Sequence, residues 1–330
     1  MTAQITRGRH DRGSPDAAPQ PPAPSRHRLT KIDLKFSPYI FISPFFIIFA
    51  IFGAFPLAYT LWVSLRKWDL LGGDGGFVGL DNYSAILKDS WFWNAVYNTF
   101  GIFLLATIPQ ILLALVTAYW LNKKLRARTA FRMGVLVPNV TSVAAVAIVF
   151  SQLFGRDFGL INWLIGFVGI DPIDWPAGRY SAWFAVATMV DWRWTGYHAL
   201  ILLAAMQAIP KDLYESASID GASALRQFWQ ITVPLLRPTL LFSVIIATIG
   251  GLQLFTEPLL FNGSNNAILG GSLRQSQTVA MYLYEQGFTR FNFGYGAAIA
   301  WLLFLLIIIV SLANLVLVRR LAGGSKGAEQ

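Results

Sequence analysis

The chain has 330 residues, 55% of them hydrophobic and 13% charged. Ordinary soluble domains carry roughly 25% charged residues, so this composition excludes a water-soluble globular protein and belongs in a bilayer. The formal charge is +9, from 26 Lys and Arg against 17 Asp and Glu, with no cysteine. Disulfides, thiolate metal ligands and cysteine nucleophiles are thereby excluded. Of the three histidines, His10 and His27 lie in a polar tail, so a zinc site or a Ser-His-Asp triad would have to be built around His198 alone. No catalytic residue, metal or cofactor is expected.

In chain order, residues 1–37 hold seven Lys or Arg and the proline run Pro15, Pro19, Pro21, Pro22, Pro24, with few apolar clusters. They are read as a disordered tail. The first apolar stretch, Tyr39 to Leu65, is too long for a signal peptide and is read as a retained span. Five further stretches are each long enough to cross a bilayer as a helix: Ala95–Leu121, Met133–Phe154, Tyr180–Ile209, Pro238–Thr256 and Gly294–Val318. Pro44, Pro56, Pro109 and Pro138 predict kinks. The fold is therefore all-α and polytopic, with six transmembrane helices, a membrane domain over 38–320 and a short tail at 321–330. Of Trp68, Trp91, Trp93, Trp163 and Trp175, in the longer loops, most are read as interfacial anchors.

Cationic residues sort by loop. Eighteen of the 26 fall in the N-terminal tail, the loop around Lys123 to Arg132, the loop 210–237 and the C-terminus. Seven fall in the opposite loops, and Arg193 lies inside the fourth stretch. The positive-inside rule puts both termini in the cytoplasm, which agrees with an even number of spans, and removes nucleic acid as a partner.

One cytoplasmic loop departs from this pattern. From Pro210 to Arg237 it balances Asp212, Glu215 and Asp220 against Lys211, Arg226 and Arg237. Leu213, Ala217, Ala224, Phe228 and Ile231 recur at helical spacing, Gly221 interrupts them and Pro234 ends them. The pattern predicts two short helices joined at a glycine bend, with one apolar edge. Lipid-surface helices are usually Lys- and Arg-rich on the polar face, so a protein partner fits better.

Here the chain resembles a family. Glu215-Ser216-Ala217, Gly221 after three residues, and Ile231-Thr232-Val233-Pro234 after nine more resemble the E-A-A, G, I-x-L-P signature of ABC importer permeases. Ser216 replaces alanine and Val233 replaces leucine, both conservatively. Phe77-Val78-Gly79-Leu80-Asp81-Asn82-Tyr83, the pair Asn98-Thr99, Gln207-Ala208-Ile209-Pro210 and Phe293-Gly294-Tyr295-Gly296-Ala297-Ala298 are similar to permeases of the carbohydrate-uptake type, maltose-type first permeases in particular. After the fifth stretch, Leu260-Phe261-Asn262-Gly263-Ser264-Asn265 departs from that family's Leu-Thr-x-Gly-Gly-Pro turn.

The resemblance implies a type I ABC importer permease fold in a bacterial inner membrane. It also implies a second permease, a dimer of ATP-binding subunits at the cytoplasmic face, an extracytoplasmic solute-binding protein and a sugar substrate. The loop would be the coupling helix, with Glu215 and Asp220 in polar contacts, Ala217 and Gly221 allowing close approach and Pro234 terminating the element. No G-x-x-x-x-G-K-[ST] run occurs in the chain, so ATP hydrolysis is expected on another polypeptide and the chain itself is not an enzyme.

A sugar site needs hydrogen-bonding groups and aromatic faces within the spans. Trp194 and Tyr197 in the fourth stretch, and Gln253 and Glu257 at the end of the fifth, are the candidates. Gln253 and Glu257, four apart, are expected to share one helix face, and Gln253 resembles a sugar-contacting amide of the maltose-type permease. Asp191 and Arg193, two apart, cannot pair directly. They face either the pathway or the outer interface by snorkelling. An alternative function is a self-sufficient secondary transporter with a proton relay through Asp191, Arg193 or Glu257. An intramembrane hydrolase is disfavoured for want of a nucleophile and base.

Overall fold

The computed structural model describes residues 26–69, 71–123, 126–263 and 267–323, with side chains between 36 and 316. Residues 1–25 of the expected tail and 324–330 at the C-terminus lie outside the described residues. Helix α1 (Arg26–Phe49) begins within the segment read as a tail. It continues through a π turn at Ala50–Ala54 into α2 (Phe55–Ser64). The π turn immediately precedes Pro56, whose missing N–H and bulky ring disturb the preceding turn.

The described residues fall into two units, one ending at Leu57 and the other beginning at Ala58. In the second, α2 leads into a hairpin of β1 (Arg66–Asp69) and β2 (Gly73–Phe77) that the all-α expectation did not contain. Its turn is glycine-rich, and Arg66 Nη2 lies 2.5 Å from Asp74 Oδ2 across it. There follow α3 (Asp81–Lys88), α4 (Ser90–Asn122), α5 (Arg128–Val140), α6 (Val143–Leu153), α7 (Leu160–Gly166) and α8 (Arg179–Gln207). The loop 210–237 contributes α9 (Lys211–Ile219), α10 (Ala224–Gln227) and α11 (Val233–Leu235). Last come α12 (Arg237–Leu252), α13 (Thr256–Asn262), α14 (Val279–Tyr284) and α15 (Phe293–Gly323).

Helices α4 and α8 run parallel. Arg179 donates to Asn94 and Asn98 at one end, while Leu115, Ala118 and Leu121 pack with Leu202, Leu203 and Met206 at the other. The first end also holds the hairpin, the second the loop 208–236. α12 runs the opposite way, with Leu240 against the cluster of Leu121 and Met206 and Leu252 against that of Phe92 and Ala95. α15 starts at the hairpin end, where the Tyr295 hydroxyl donates to Asp89 at 3.0 Å.

α5 starts at the loop end, where Arg128 and Arg132 both lie beside the Gln207 side chain. α6 finishes at the hairpin end, where Phe154 meets Trp175 edge-on at 5.0 Å. Thus α4, α5 with α6, α8, α12 and α15 pass alternately between the two ends.

The stretch Met133–Phe154, expected as one kinked span, is two helices bent by 89°. Pro138 removes one backbone donor, and the chain turns extended at Thr141 and Ser142, where the Thr141 hydroxyl bonds the Val137 carbonyl at 2.8 Å. The fifth stretch also differs: α12 has 16 residues, stops at Leu252 and is bent 68° from the segment before it.

Among the described residues three helices are long and apolar enough to cross a membrane, or five if each bent pair is one span. α8 is 29 residues long but carries Asp191 and Arg193 near its middle and is not among them. The glycine at 196 lets α5 approach α8 closely, since a Cβ there would overlap the Val135 carbonyl.

Candidate functional site

Two places gather the residues singled out in the sequence. The first is a cavity of about 370 Å³ enclosed by α4, α8, α12 and α13, roughly halfway between the two ends. Its walls include Thr107 and Gln110 of α4, Trp194 and His198 of α8, and Gln253 and Glu257 beyond α12.

Gln253 and Glu257 do not share a helix face as expected. Gln253 caps α12, Phe255 leaves helical geometry at φ −132°, and α13 restarts at Thr256. The break nonetheless turns both side chains to the cavity. Non-helical backbone at membrane depth is tolerated where it lines a cavity. Tyr197 is not among the lining residues; it packs edge-on against Trp194 and His198, at 5.8 and 5.3 Å, and so supports the wall.

The charged pair of α8 is resolved in an unforeseen way. Arg193 reaches Glu257 rather than snorkelling, its Nη1 lying 2.5 Å from Glu257 Oε1, with the two side chains 12% and 10% exposed. Burying two opposite charges is tolerable only when they meet at such range. Asp191, which pairs with neither, has a buried Oδ1 without a partner among the described residues and does not line the cavity.

Thr107 and Gln110 were missed. They are single polar residues in a long apolar run, and the position of Gln110 directly after Pro109 is the one local signal. Neither the Gln110 nor the Gln253 amide bonds another described residue. The cavity therefore offers two free amides, a threonine hydroxyl, a carboxylate and an indole face, a set suited to a polyhydroxylated solute.

The second place is the loop 210–237. α9 closes with paired bonds, Gly221 N–H to the Ser218 carbonyl at 3.1 Å and Ala222 N–H to the Ala217 carbonyl at 2.9 Å. This cap requires a left-handed residue, and Gly221 supplies it at φ +76°. The inner side is pinned to the helices: the Tyr214 and Thr232 hydroxyls lie 2.9 Å apart, and Phe228 packs on Tyr119 at 4.9 Å. Ala217 and Pro234 are half-buried on that side. The outer side presents Glu215, Asp220 and Gly221 beside an apolar ridge, Ile219 at 87% and Leu225 at 67% exposure. Glu215 and Asp220 form no salt bridge with other described residues. An apolar ridge flanked by unpaired acids is the chemistry of a docking element.

The hairpin end is instead closed by a buried polar network. Asn98 donates to the carbonyls of Arg274 and Gln277 at 2.8 and 3.0 Å, and Thr99 accepts from Val279 N–H at 2.9 Å. Asn82 donates to the carbonyls of Ser64 and Arg66 at 2.8 and 3.0 Å. The motifs Asn98-Thr99 and Asp81-Asn82-Tyr83 thus tie loops to helix ends. Trp175, expected at the lipid interface, is buried with its indole N–H on Asn162 Oδ1 at 2.8 Å. Of the divergent turn after α13, residues 264–266 lie outside the described residues.

Sequence and overall fold are shared with known proteins. Residues 99–323 match the family model of the binding-protein-dependent transport system inner membrane component. The chain is 34% identical over 295 residues to the arabinooligosaccharides transport system permease protein AraP of Bacillus subtilis (strain 168), covering 89% of this chain and 90% of that protein. It is 33% identical over 270 residues to the trehalose/maltose transport system permease protein MalF of Thermococcus litoralis, covering 82% and 89%. In fold it matches a chain of a bacterial ABC transporter involved in the import of the acidic polysaccharide alginate, with a TM-score of 0.74 at 20% identity over 89% of this chain and 99% of that one. The helical body and these likenesses together identify the chain as a member of the binding-protein-dependent transport system inner membrane component family, the permeases of ABC importers.

Proposed function

We propose that the chain is one of two permeases that jointly line an alternating-access pathway for a sugar or oligosaccharide. The observation that carries this reading is the mid-depth cavity, where Gln110 and Gln253 offer free amides beside the Trp194 ring. Sugar hydroxyls need such partners and sugar C–H faces stack on indoles. The names of AraP and MalF, transporters of arabinooligosaccharides and of trehalose or maltose, support the same class.

The ATP-binding dimer docks on Ile219, Leu225 and their flanking acids, and a solute-binding protein delivers substrate at the hairpin end. Six spans, with both termini cytoplasmic, fit the charge sorting and the alternating passes. The solitary proton-coupled reading loses support twice: the family is one of binding-protein-dependent transport components, and Arg193 and Glu257 neutralise each other instead of standing as a relay. The test is uptake by proteoliposomes holding both permeases, the ATP-binding subunits and the binding protein. ATP-dependent entry of arabinotriose, maltose or lactose is expected; entry of none of them, with an amino acid carried instead, would refute the sugar assignment.

A further inference from the structure

The charge on the cavity wall narrows the substrate class, an inference that rests on reading the cavity as the sugar site. Among the residues lining it, only His198 and Glu257 are ionisable, and no Lys or Arg is present. The Glu257 carboxylate does not meet a solute as a free anion, because Arg193, outside the lining, reaches it at 2.5 Å from α8. Arg193 makes this contact through Nη1, and its side chain is not part of the cavity wall. His198 is buried and its Nδ1 has no partner among the described residues. Asp191, the remaining acid of this helix segment, lies off the cavity.

We propose that the Arg193–Glu257 pair makes this wall electrically neutral, so that the permease accepts uncharged carbohydrates and rejects uronate-bearing ones. Glu257 is then the specificity-determining residue of the wall. A carboxylated sugar entering the cavity gives up its hydration and finds no cation to replace it, only the edge of a carboxylate already engaged. An uncharged sugar loses only hydroxyl hydration, which the amides of Gln110 and Gln253 and the hydroxyl of Thr107 restore.

The pair also defines how selectivity could be inverted. Glu257→Gln keeps the shape of the side chain and removes its charge, leaving the Arg193 guanidinium as an uncompensated buried cation next to the cavity. Such a cation binds a carboxylate through charge-assisted hydrogen bonds. Glu257→Asp retains the charge and serves as the conservative control.

The experiment uses the assembled complex of both permeases with the ATP-binding subunits, in detergent and without the binding protein, so that delivery does not impose its own selectivity. Direct binding is measured for arabinotriose, maltotriose and lactose, and for trigalacturonate as the anionic probe. The wild-type complex is expected to bind at least one neutral sugar on the order of tenfold or more tighter than trigalacturonate. Glu257→Gln is expected to shift that ratio by on the order of tenfold toward trigalacturonate, whereas Glu257→Asp keeps the wild-type preference.

Equal wild-type binding of both classes, or a ratio unmoved in Glu257→Gln, overturns this inference and leaves the sugar site standing. Binding of neither class by the wild type overturns the sugar-site reading and this inference with it. Should Glu257→Gln not assemble, Arg193→Gln is the second variant. It exposes an unpaired carboxylate, and is expected to deepen the discrimination against trigalacturonate; weaker discrimination overturns the proposal.

Discussion

Arg274 and Glu285 face each other through two nitrogen–oxygen contacts of 2.6 and 2.8 Å, both side chains buried at the hairpin end. Gln277 adds a third donor to the same carboxylate at 2.8 Å, and Arg290 a fourth at 3.0 Å. Because the Arg274 carbonyl accepts from Asn94 and Asn98, this one carboxylate orders the contact of the loop with α4. Removing it strands a buried guanidinium, so Glu285→Gln is expected to lower stability by about 3–5 kcal/mol, read as a fall in the thermal unfolding midpoint.

The same carboxylate, which lies outside the spans, has a pH signature. Burial pushes Glu285 up, but hydrogen bonds from Arg274 and Gln277 and the charges of Arg274 and Arg290 outweigh it and hold the group below the ordinary glutamate range. A carboxyl group depressed in the folded state stabilises fully above its unfolded value and loses that contribution as pH falls through the folded value. Thermal unfolding of the purified chain is expected to be flat near neutrality and to decline below about pH 5, with a shallower decline in Glu285→Gln. An equally steep decline in both would assign the acid sensitivity elsewhere.

Within the cavity, Gln110→Leu and Gln253→Leu each remove an amide that no described residue occupies. Folding should be little affected, whereas each lost sugar hydrogen bond costs about 1 kcal/mol. The apparent KM for uptake is expected to rise by roughly fivefold per substitution, with basal ATP hydrolysis unchanged. A KM unmoved in both would place the substrate outside this cavity.

In the loop 210–237, a Cβ on residue 221 would meet no described residue within 4 Å, so steric conflict with them is not the constraint there. The constraint is φ +76°, which costs about 1–2 kcal/mol for an ordinary side chain. Gly221→Val is expected to insert and pair normally but to lose on the order of tenfold in sugar-stimulated ATP hydrolysis. Gly221→Asn, tolerant of the left-handed region, keeps most of it. Equal losses in both variants would point to contact with the partner surface instead of backbone shape.

The passes α4, α8 and α15 were legible because their apolar runs outlast any turn signal, and the bend of the coupling loop because Gly221 can do what other residues do only under strain. The sharp turn at Thr141 and Ser142 was not, since apolar residues flank it on both sides and Pro138 marks a weakened helix without saying where it will bend. Arg193 and Glu257 were each visible as costly charges, yet their pairing joins residues 64 apart and depends on the break after Leu252. Local spacing could only exclude Asp191 as the partner. Arg274 and Glu285 lay in a loop without periodicity, so their network had no pattern to betray it. Trp175 was misplaced because an indole near a span end suits either the headgroups or, with Asn162 as partner, the core.

In the proposed transporter, energy enters through the outer face of the loop 210–237. The chain has no cysteine, so a single introduced thiol reports contact without background. Ile219→Cys is expected to cross-link to the ATP-binding subunit in the assembled transporter, more strongly when ATP is bound, while Phe158→Cys, 99% exposed at the hairpin end, does not. Cross-linking from position 158 with none from 219 would contradict the account.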